Sequence, residues 1–157
     1  MRRVIIMSGV SGSGKSSYIS NVIVPEIQRN MSFLVLSADD FFIYPDDGSY
    51  VFKPKLLGKA HAFCFRNFIR ALQSEIDVVV VDNTNTTAVE IAPYVLAAEA
   101  FHYEAEIITL MCEDDFVETC AARNAHGVSP AGVQAQHQRL KERCLMSWWK
   151  YTFKEVS

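Results

Sequence analysis

Near the start of the chain runs Gly9-Val10-Ser11-Gly12-Ser13-Gly14-Lys15-Ser16, the pattern G-x-x-x-x-G-K-S. The Val/Ile-rich segment Arg3 to Ser8 before it reads as a buried strand, and Ser13 to about Gln28 after it reads as a helix that Pro25 ends or kinks. Glycines let the backbone wrap an anion, successive N–H groups point inward, and the helix N-terminus adds partial positive charge. The candidate nucleotide-binding residues are Gly9, Ser11, Gly12, Ser13, Gly14, Lys15, Ser16 and Ser17. In this pattern Lys15 neutralises the β- and γ-phosphates and the Ser16 hydroxyl ligates Mg²⁺. No N-K-x-D guanine reader is present, which favours ATP over GTP.

Such a loop belongs after a strand of a parallel sheet, and the rest of the chain fits one. Phe33 to Ser37, Asp77 to Val81 and Ala105 to Met111 read as further strands. Lys55 to about Glu75, Thr87 to Phe101 with Pro93 as a kink, Glu113 to Asn124, and Pro130 to about Leu145 read as helices. Alternation of this kind predicts an α/β, three-layer P-loop fold with a parallel sheet covered on both faces, one domain over residues 1–157. The run Val78-Val79-Val80-Val81 is what a doubly covered strand requires. Ligands then bind at the carboxyl ends of the strands.

The chemistry-bearing residues fall there. Asp39-Asp40 follows the second strand, where an acid can take the proton of an attacking hydroxyl; one of the pair can instead cap a helix. Asp82 ends the third strand, the place of a carboxylate that orients Mg²⁺. Asn83, Thr84 and Asn85 then offer short polar groups for substrate or for capping. Arg123 precedes Asn124-Ala125-His126-Gly127-Val128-Ser129-Pro130. It either answers a helix dipole or belongs to a lid that brings positive charge to a transferring phosphoryl group. His126 reads as a solvated or capping residue rather than a catalytic one.

Half of the residues are apolar and 21% are charged, enough for a packed core. No apolar stretch approaches the ~20 residues of a membrane helix, and Ser8-Gly9 enters the anion loop rather than a cleavage site; the expectation is a soluble, cytoplasmic protein with no membrane partner. Cys64, Cys112, Cys120 and Cys144 lack metal-ligand spacing and read as packed free thiols. The net charge is −3: residues 1–122 hold 9 Lys/Arg against 16 Asp/Glu, and residues 123–157 hold 6 against 2. The basic C-terminal part fits either contact with a polyanion or a solvated helix face. Trp148-Trp149-Lys150-Tyr151-Thr152-Phe153 reads as a final strand or packing segment in preference to a nucleic-acid platform.

Taken in order, these motifs resemble the polynucleotide kinase-like P-loop proteins. The similarity runs from the anion loop through Asp39-Asp40-Phe41-Phe42, Asp47-Gly48-Ser49-Tyr50-Val51-Phe52, Ala60-His61, Val81-Asp82-Asn83-Thr84-Asn85 and Pro93-Tyr94 to Arg123-Asn124-x-His126-Gly127-Val128. The group includes bacteriophage 5′-hydroxyl polynucleotide kinases. The resemblance implies ATP and Mg²⁺ as cofactors and transfer to the 5′-hydroxyl of DNA or RNA. It gives Lys15, Asp39 and Arg123 catalytic roles, with Asp39 as general base, and gives Ser16 and Asp82 the metal. From their places in the chain, Asp39, Asp40, Asn83, Asn85, His61 and Arg66 are the candidate substrate contacts; Arg66 and Arg70, one helical turn apart on the long helix, either share a substrate phosphate or are surface arginines with packed stems. Two departures stand out. Phe41-Phe42-Ile43-Tyr44 lacks the arginine that follows the acid pair in the bacteriophage enzymes, and a second lid arginine is replaced near His126-Gly127. They favour, as the alternative acceptor, a nucleoside, nucleotide or other small hydroxyl metabolite; a non-transferring ATP-binding protein is the remaining alternative.

Overall fold

The computed structural model describes residues 1–157. Five parallel strands, β1 (Arg3–Ser8), β2 (Phe33–Leu36), β3 (Val78–Asp82), β4 (Glu104–Leu110) and β5 (Thr152–Val156), form one sheet in the order β2-β3-β1-β4-β5. The central strand β1 pairs with β3 on one side and β4 on the other, so the segments leaving these strands meet at a topological switch point. The register sets Met7 beside Asp82 and Ser8 beside Thr109, which brings the carboxylate ending β3 level with the start of the anion loop.

Alternation along the strands sends side chains to two covered faces. Val4, Ile6, Val79, Val81 and Ile107 pack under α3 (Leu57–Gln73) and α4 (Ala88–Ala100). Ile5, Met7, Val78, Val80 and Ile108 pack against Ile19 and Ile23 on the opposite face. That second cover is short: α1 (Lys15–Tyr18), a π-helical turn (Ile19–Ile23) and α2 (Val24–Glu26), where Pro25 sits one residue from the end. Pro93 does not interrupt α4. It lies on the exposed face, as does Val89 four residues before it, so the carbonyl that loses its partner faces water.

Beyond β4, α5 (Val117–Arg123) and α6 (Pro130–Glu142) form a helical pair that closes on Val10 of the anion loop through Val117, Cys120 and Val133. The tail becomes the edge strand β5, with Trp149 buried in the core and Trp148 exposed. Five of the six basic residues of this C-terminal part, all but Arg123, are occupied within the fold. Arg139 donates to Thr86 and Arg143 to Ser8, Asn85 and Thr109; Lys141 pairs with Asp114, Lys150 with Glu99, and Lys154 lies over the Tyr18 ring. All four cysteines are free thiols. No helix is long and apolar enough to cross a membrane.

Candidate active site

The anion loop leaves β1 at Gly9, whose N–H donates to the Thr84 carbonyl at 2.9 Å. Gly12 is the tightest point of the loop. Its φ is +80°, and a methyl group there would meet the Cys120 carbonyl oxygen, so only glycine allows α5 to press so closely on the loop. Gln136 of α6 clamps the same turn: its side-chain oxygen accepts from the Ser11 N–H at 2.8 Å and its amide donates to the Ser11 hydroxyl at 3.1 Å. Lys15 donates to the carbonyls of Gly9 and Val10, both at 3.0 Å. Burial pulls the Lys15 pKa below its ordinary value, and the charges of Asp82, Asp39 and Cys120 oppose that shift.

Around the loop opens a cavity of about 380 Å³ in which all but one of the lining residues are polar or glycine. Its floor holds Lys15 and Ser16, and the Ser16 hydroxyl donates to Asp82 Oδ2 at 2.8 Å. One wall is the turn after β2, a 3-10 segment over Ala38–Phe42. Here the acid pair divides its labour. Asp40 completes a capping box with Ser37, accepting the Ser37 N–H at 3.2 Å, while Asp39 lines the cavity. Partial burial pushes the Asp40 carboxyl up; the Ser37 N–H lowers it, and Asp39 and Asp82 raise it further. Asp39 is held by two partners, Tyr50 donating to Oδ1 at 2.9 Å and His126 Nε2 lying 3.4 Å from Oδ2. Burial, then the hydrogen bond and charge of Asp39, push the Tyr50 phenol well above its ordinary pKa, so it stays a donor.

The opposite wall is the loop from Arg123 to Pro130. Asn124 braces it from within, donating to Ala121 and Val128 carbonyls and accepting the Val128 N–H. Gly127, at φ +71°, makes the turn that closes this bracing. The loop brings Arg123, Asn124, Ala125 and His126 to the cavity.

Of the residues expected from sequence, Ser11, Gly12, Gly14, Lys15, Ser16, Ser17, Asp39, Asp82, Asn83 and Arg123 line this cavity. Gly9, Ser13, Asp40, Asn85, His61 and Arg66 do not. Asn83 spends its amide internally, accepting the Ala38 N–H at 2.8 Å and donating to Cys64 Sγ at 3.6 Å, which ties the two acid-bearing turns together. Asn85 is a buried backbone anchor at φ 45°. Its side chain donates to the Met7 carbonyl, and its own carbonyl accepts from Ser8 and Arg143. His61 and Arg66 lie on α3, outside the cavity. In the other direction, Ser37, Tyr50 and His126 join the site. His126, read from sequence as solvated or capping, is partly exposed and lies with Nε2 3.4 Å from Asp39 Oδ2. The signal for Tyr50 was its place in Asp47-Gly48-Ser49-Tyr50, where the turn folds the chain back and Ile43 bridges Tyr50.

Known proteins with this architecture bear on the site. Human NEDD4-binding protein 2 is 33% identical over 131 residues, 80% of this chain but 7% of that protein, so the chain spans a small part of its curated relative. A chain of the Pnkp1/Rnl/Hen1 RNA repair complex superposes with a TM-score of 0.67 at 14% identity, covering 90% of this chain and 44% of that one. Chaetomium thermophilum Kti12, in complex with ADP-AlF3, superposes with a TM-score of 0.64 at 14% identity, covering 98% of this chain and 88% of that one. At such identities the likeness to the solved structures is one of fold. The AAA_33 family, described as an AAA domain, matches residues 4–145, and with the anion loop and the 2-3-1-4-5 parallel sheet in place the chain belongs to this family of P-loop domains.

Proposed function

We propose that this protein transfers the γ-phosphoryl group of ATP to a hydroxyl, the 5′-hydroxyl end of DNA or RNA. The observation that carries the reading is the placement of Asp39 in the same polar cavity as Lys15, Ser16, Asp82 and Arg123. Glycine-rich backbone and Lys15 take the β- and γ-phosphates. The acceptor oxygen attacks the γ-phosphorus, its proton passes to the Asp39 carboxylate, and the bond from phosphorus to the β,γ-bridging oxygen breaks to leave ADP. Arg123, on the opposite wall, answers the charge that gathers on the transferring group. Tyr50 holds Asp39 Oδ1, which leaves Oδ2, the oxygen facing His126, to meet the acceptor.

The donor set also fits Mg²⁺. Ser16 and Asp82 offer hard oxygens 2.8 Å apart, and no cluster of three His, Cys, Asp or Glu exists to cage a metal, which suits an ion that draws its other ligands from phosphate and water. When bound, Mg²⁺ supplies charge neutralisation at the phosphates.

One observation favours a smaller hydroxyl acceptor as a second reading. The segment after Asp39, Phe41-Phe42-Ile43-Tyr44, carries no arginine where the bacteriophage enzymes have one for substrate phosphate. Incubating labelled ATP with a 5′-hydroxyl oligonucleotide and with a panel of nucleosides and small hydroxyl compounds separates the two. Asp39→Asn should lower transfer by at least about a hundredfold, the usual share of a general base, with ATP affinity retained. Unchanged transfer in that variant removes Asp39 as the base.

A further inference from the structure

Between Gly48 and Ser74 the sequence holds Lys53, Lys55, Lys59, Arg66 and Arg70 and no acidic residue. All five are exposed, and none enters an ion pair. Elsewhere the exposed cations are scattered or engaged: Arg29 stands alone, Arg123 lines the Asp39 cavity, and Arg139, Lys141, Arg143, Lys150 and Lys154 are held by partners within the fold. Lys59, Arg66 and Arg70 are spaced 7 and 4 residues apart on α3. At 100° per residue they fall within an arc of about 40°, and at 1.5 Å per residue the outer pair stands about 16 Å apart along the axis. The result is a straight row of charges turned away from the buried face of Ala60, Cys64, Phe68 and Ala71.

The row is joined to the candidate active site. Phe63 shares its side of α3, and its ring lies 5.6 Å from that of Phe41, two residues beyond Asp39. Phe41 in turn lines an apolar cavity with Ile43, Tyr44, Val51 and Leu56, beside Lys53. Cations in a row with aromatic rings alongside are the combination that holds a single strand, the charges on phosphates and the rings under bases. A polyanion without rings, such as polyglutamate, would engage the charges and leave the rings unused. Outside this segment the molecule carries 18 Asp/Glu against 10 Lys/Arg, so a polyanion is repelled elsewhere and favoured here.

We propose that the outer face of α3, with Lys53 and Lys55 before it, is the track for the backbone of a single-stranded polynucleotide whose 5′ end enters the Asp39 cavity. The inference deepens the polynucleotide reading given above and rests on it. It predicts that affinity grows with acceptor length and that salt weakens binding steeply.

The test is fluorescence anisotropy with a 5′-hydroxyl single-stranded oligonucleotide of about twelve nucleotides, titrated at several salt concentrations against the full chain. Each phosphate contact adds about 0.7 to the slope of log affinity on log salt for single strands. The variant Lys59→Gln/Arg66→Gln/Arg70→Gln should lose about 2 from that slope and bind about tenfold or more weakly at moderate salt. The charge-conserving Lys59→Arg/Arg66→Lys/Arg70→Lys should restore both, which separates charge from folding. In the wild-type chain, affinity should rise by about tenfold from a dinucleotide to an octanucleotide. An unchanged slope in the neutralised variant, length-independent binding, or polyglutamate bound as tightly as the oligonucleotide overturns the track. Transfer to a short acceptor without any length effect overturns the track and leaves the kinase reading. The full binding signature without transfer to any 5′-hydroxyl overturns the kinase reading and leaves the track.

Discussion

The residue on which the proposed transfer turns is Asp39, and its neighbours show how it is placed. A capping box could have consumed either acid of the pair; because Asp40 takes the Ser37 N–H, the Asp39 carboxylate is turned to the cavity. Tyr50 then fixes one of its oxygens at 2.9 Å. Tyr50→Phe removes that single donor and keeps the ring in contact with Phe42 and His126. Transfer in this variant should fall about tenfold in kcat, the rate equivalent of about 1.4 kcal/mol, with the KM for ATP within about twofold of wild type. A steady-state comparison on the oligonucleotide acceptor checks it, and equal kcat values would dismiss a positioning role for Tyr50. At this scale sequence alone could name Lys15, Ser16, Asp39 and Asp82, because each sits at a fixed offset from a strand end. It could not see that Asn85 turns inward, nor that Asn83, at the cavity wall, spends its amide on Ala38 and Cys64, since an asparagine next to a strand end has the same identity whether it faces substrate or backbone.

Among the elements, α6 has the most to hold. Its Gln136 grips the anion loop, and its base is pinned where buried His137 meets Asp114 Oδ1 at 2.7 Å, with Lys141 at 3.2 Å from the same oxygen. The His137 hydrogen bond first, then Lys141, hold the Asp114 carboxyl below its ordinary pKa. A carboxyl depressed in the folded state contributes stability above its unfolded pKa of about 3.9, and that contribution is lost as pH falls through the lower folded value. The wild-type chain should therefore lose stability more steeply than Asp114→Asn in the acid range below about pH 4, with the two curves running parallel near neutrality. Thermal melts across pH 2.5–7 (about that range) read the difference; identical acid slopes would mean that the contact carries no linkage. The break between the two helices of this region is marked in the sequence by Gly127-Val128-Ser129-Pro130, and Ser129-Pro130 opens α6 as an N-cap followed by proline. The docking of α6 on the loop, by contrast, depends on residues 125 positions apart in the chain, Ser11 and Gln136, which no local pattern connects.

For the molecule as a whole, Arg143 ties the carboxyl ends of β1 and β4 to the turn after β3. Its guanidinium donates to the Ser8 hydroxyl at 2.5 Å, the Asn85 carbonyl at 2.9 Å and the Thr109 hydroxyl at 3.1 Å. Ser8, Asn85 and Thr109 are all buried. Arg143→Met keeps much of the packing volume and removes the guanidinium from the Ser8 and Thr109 hydroxyls, leaving the Asn85 carbonyl with Ser8 as its remaining donor, so it should cost about 2–4 kcal/mol, read as a lower urea midpoint at unchanged m-value. A midpoint equal to wild type would show that water or another donor replaces the guanidinium. In the sequence Arg143 is one of several C-terminal cations and reads as surface charge; its burial follows from the chain returning across the sheet to form β5. The layered α/β architecture and the phosphate loop were legible from residue order, because strand periodicity, helix periodicity and the Gly/Lys/Ser spacing are local and each is set by backbone geometry. Which cations remain unpaired, which acid faces the cavity and which asparagines are anchors were decided by packing, since these depend on the neighbour that a distant segment presents once the sheet has closed.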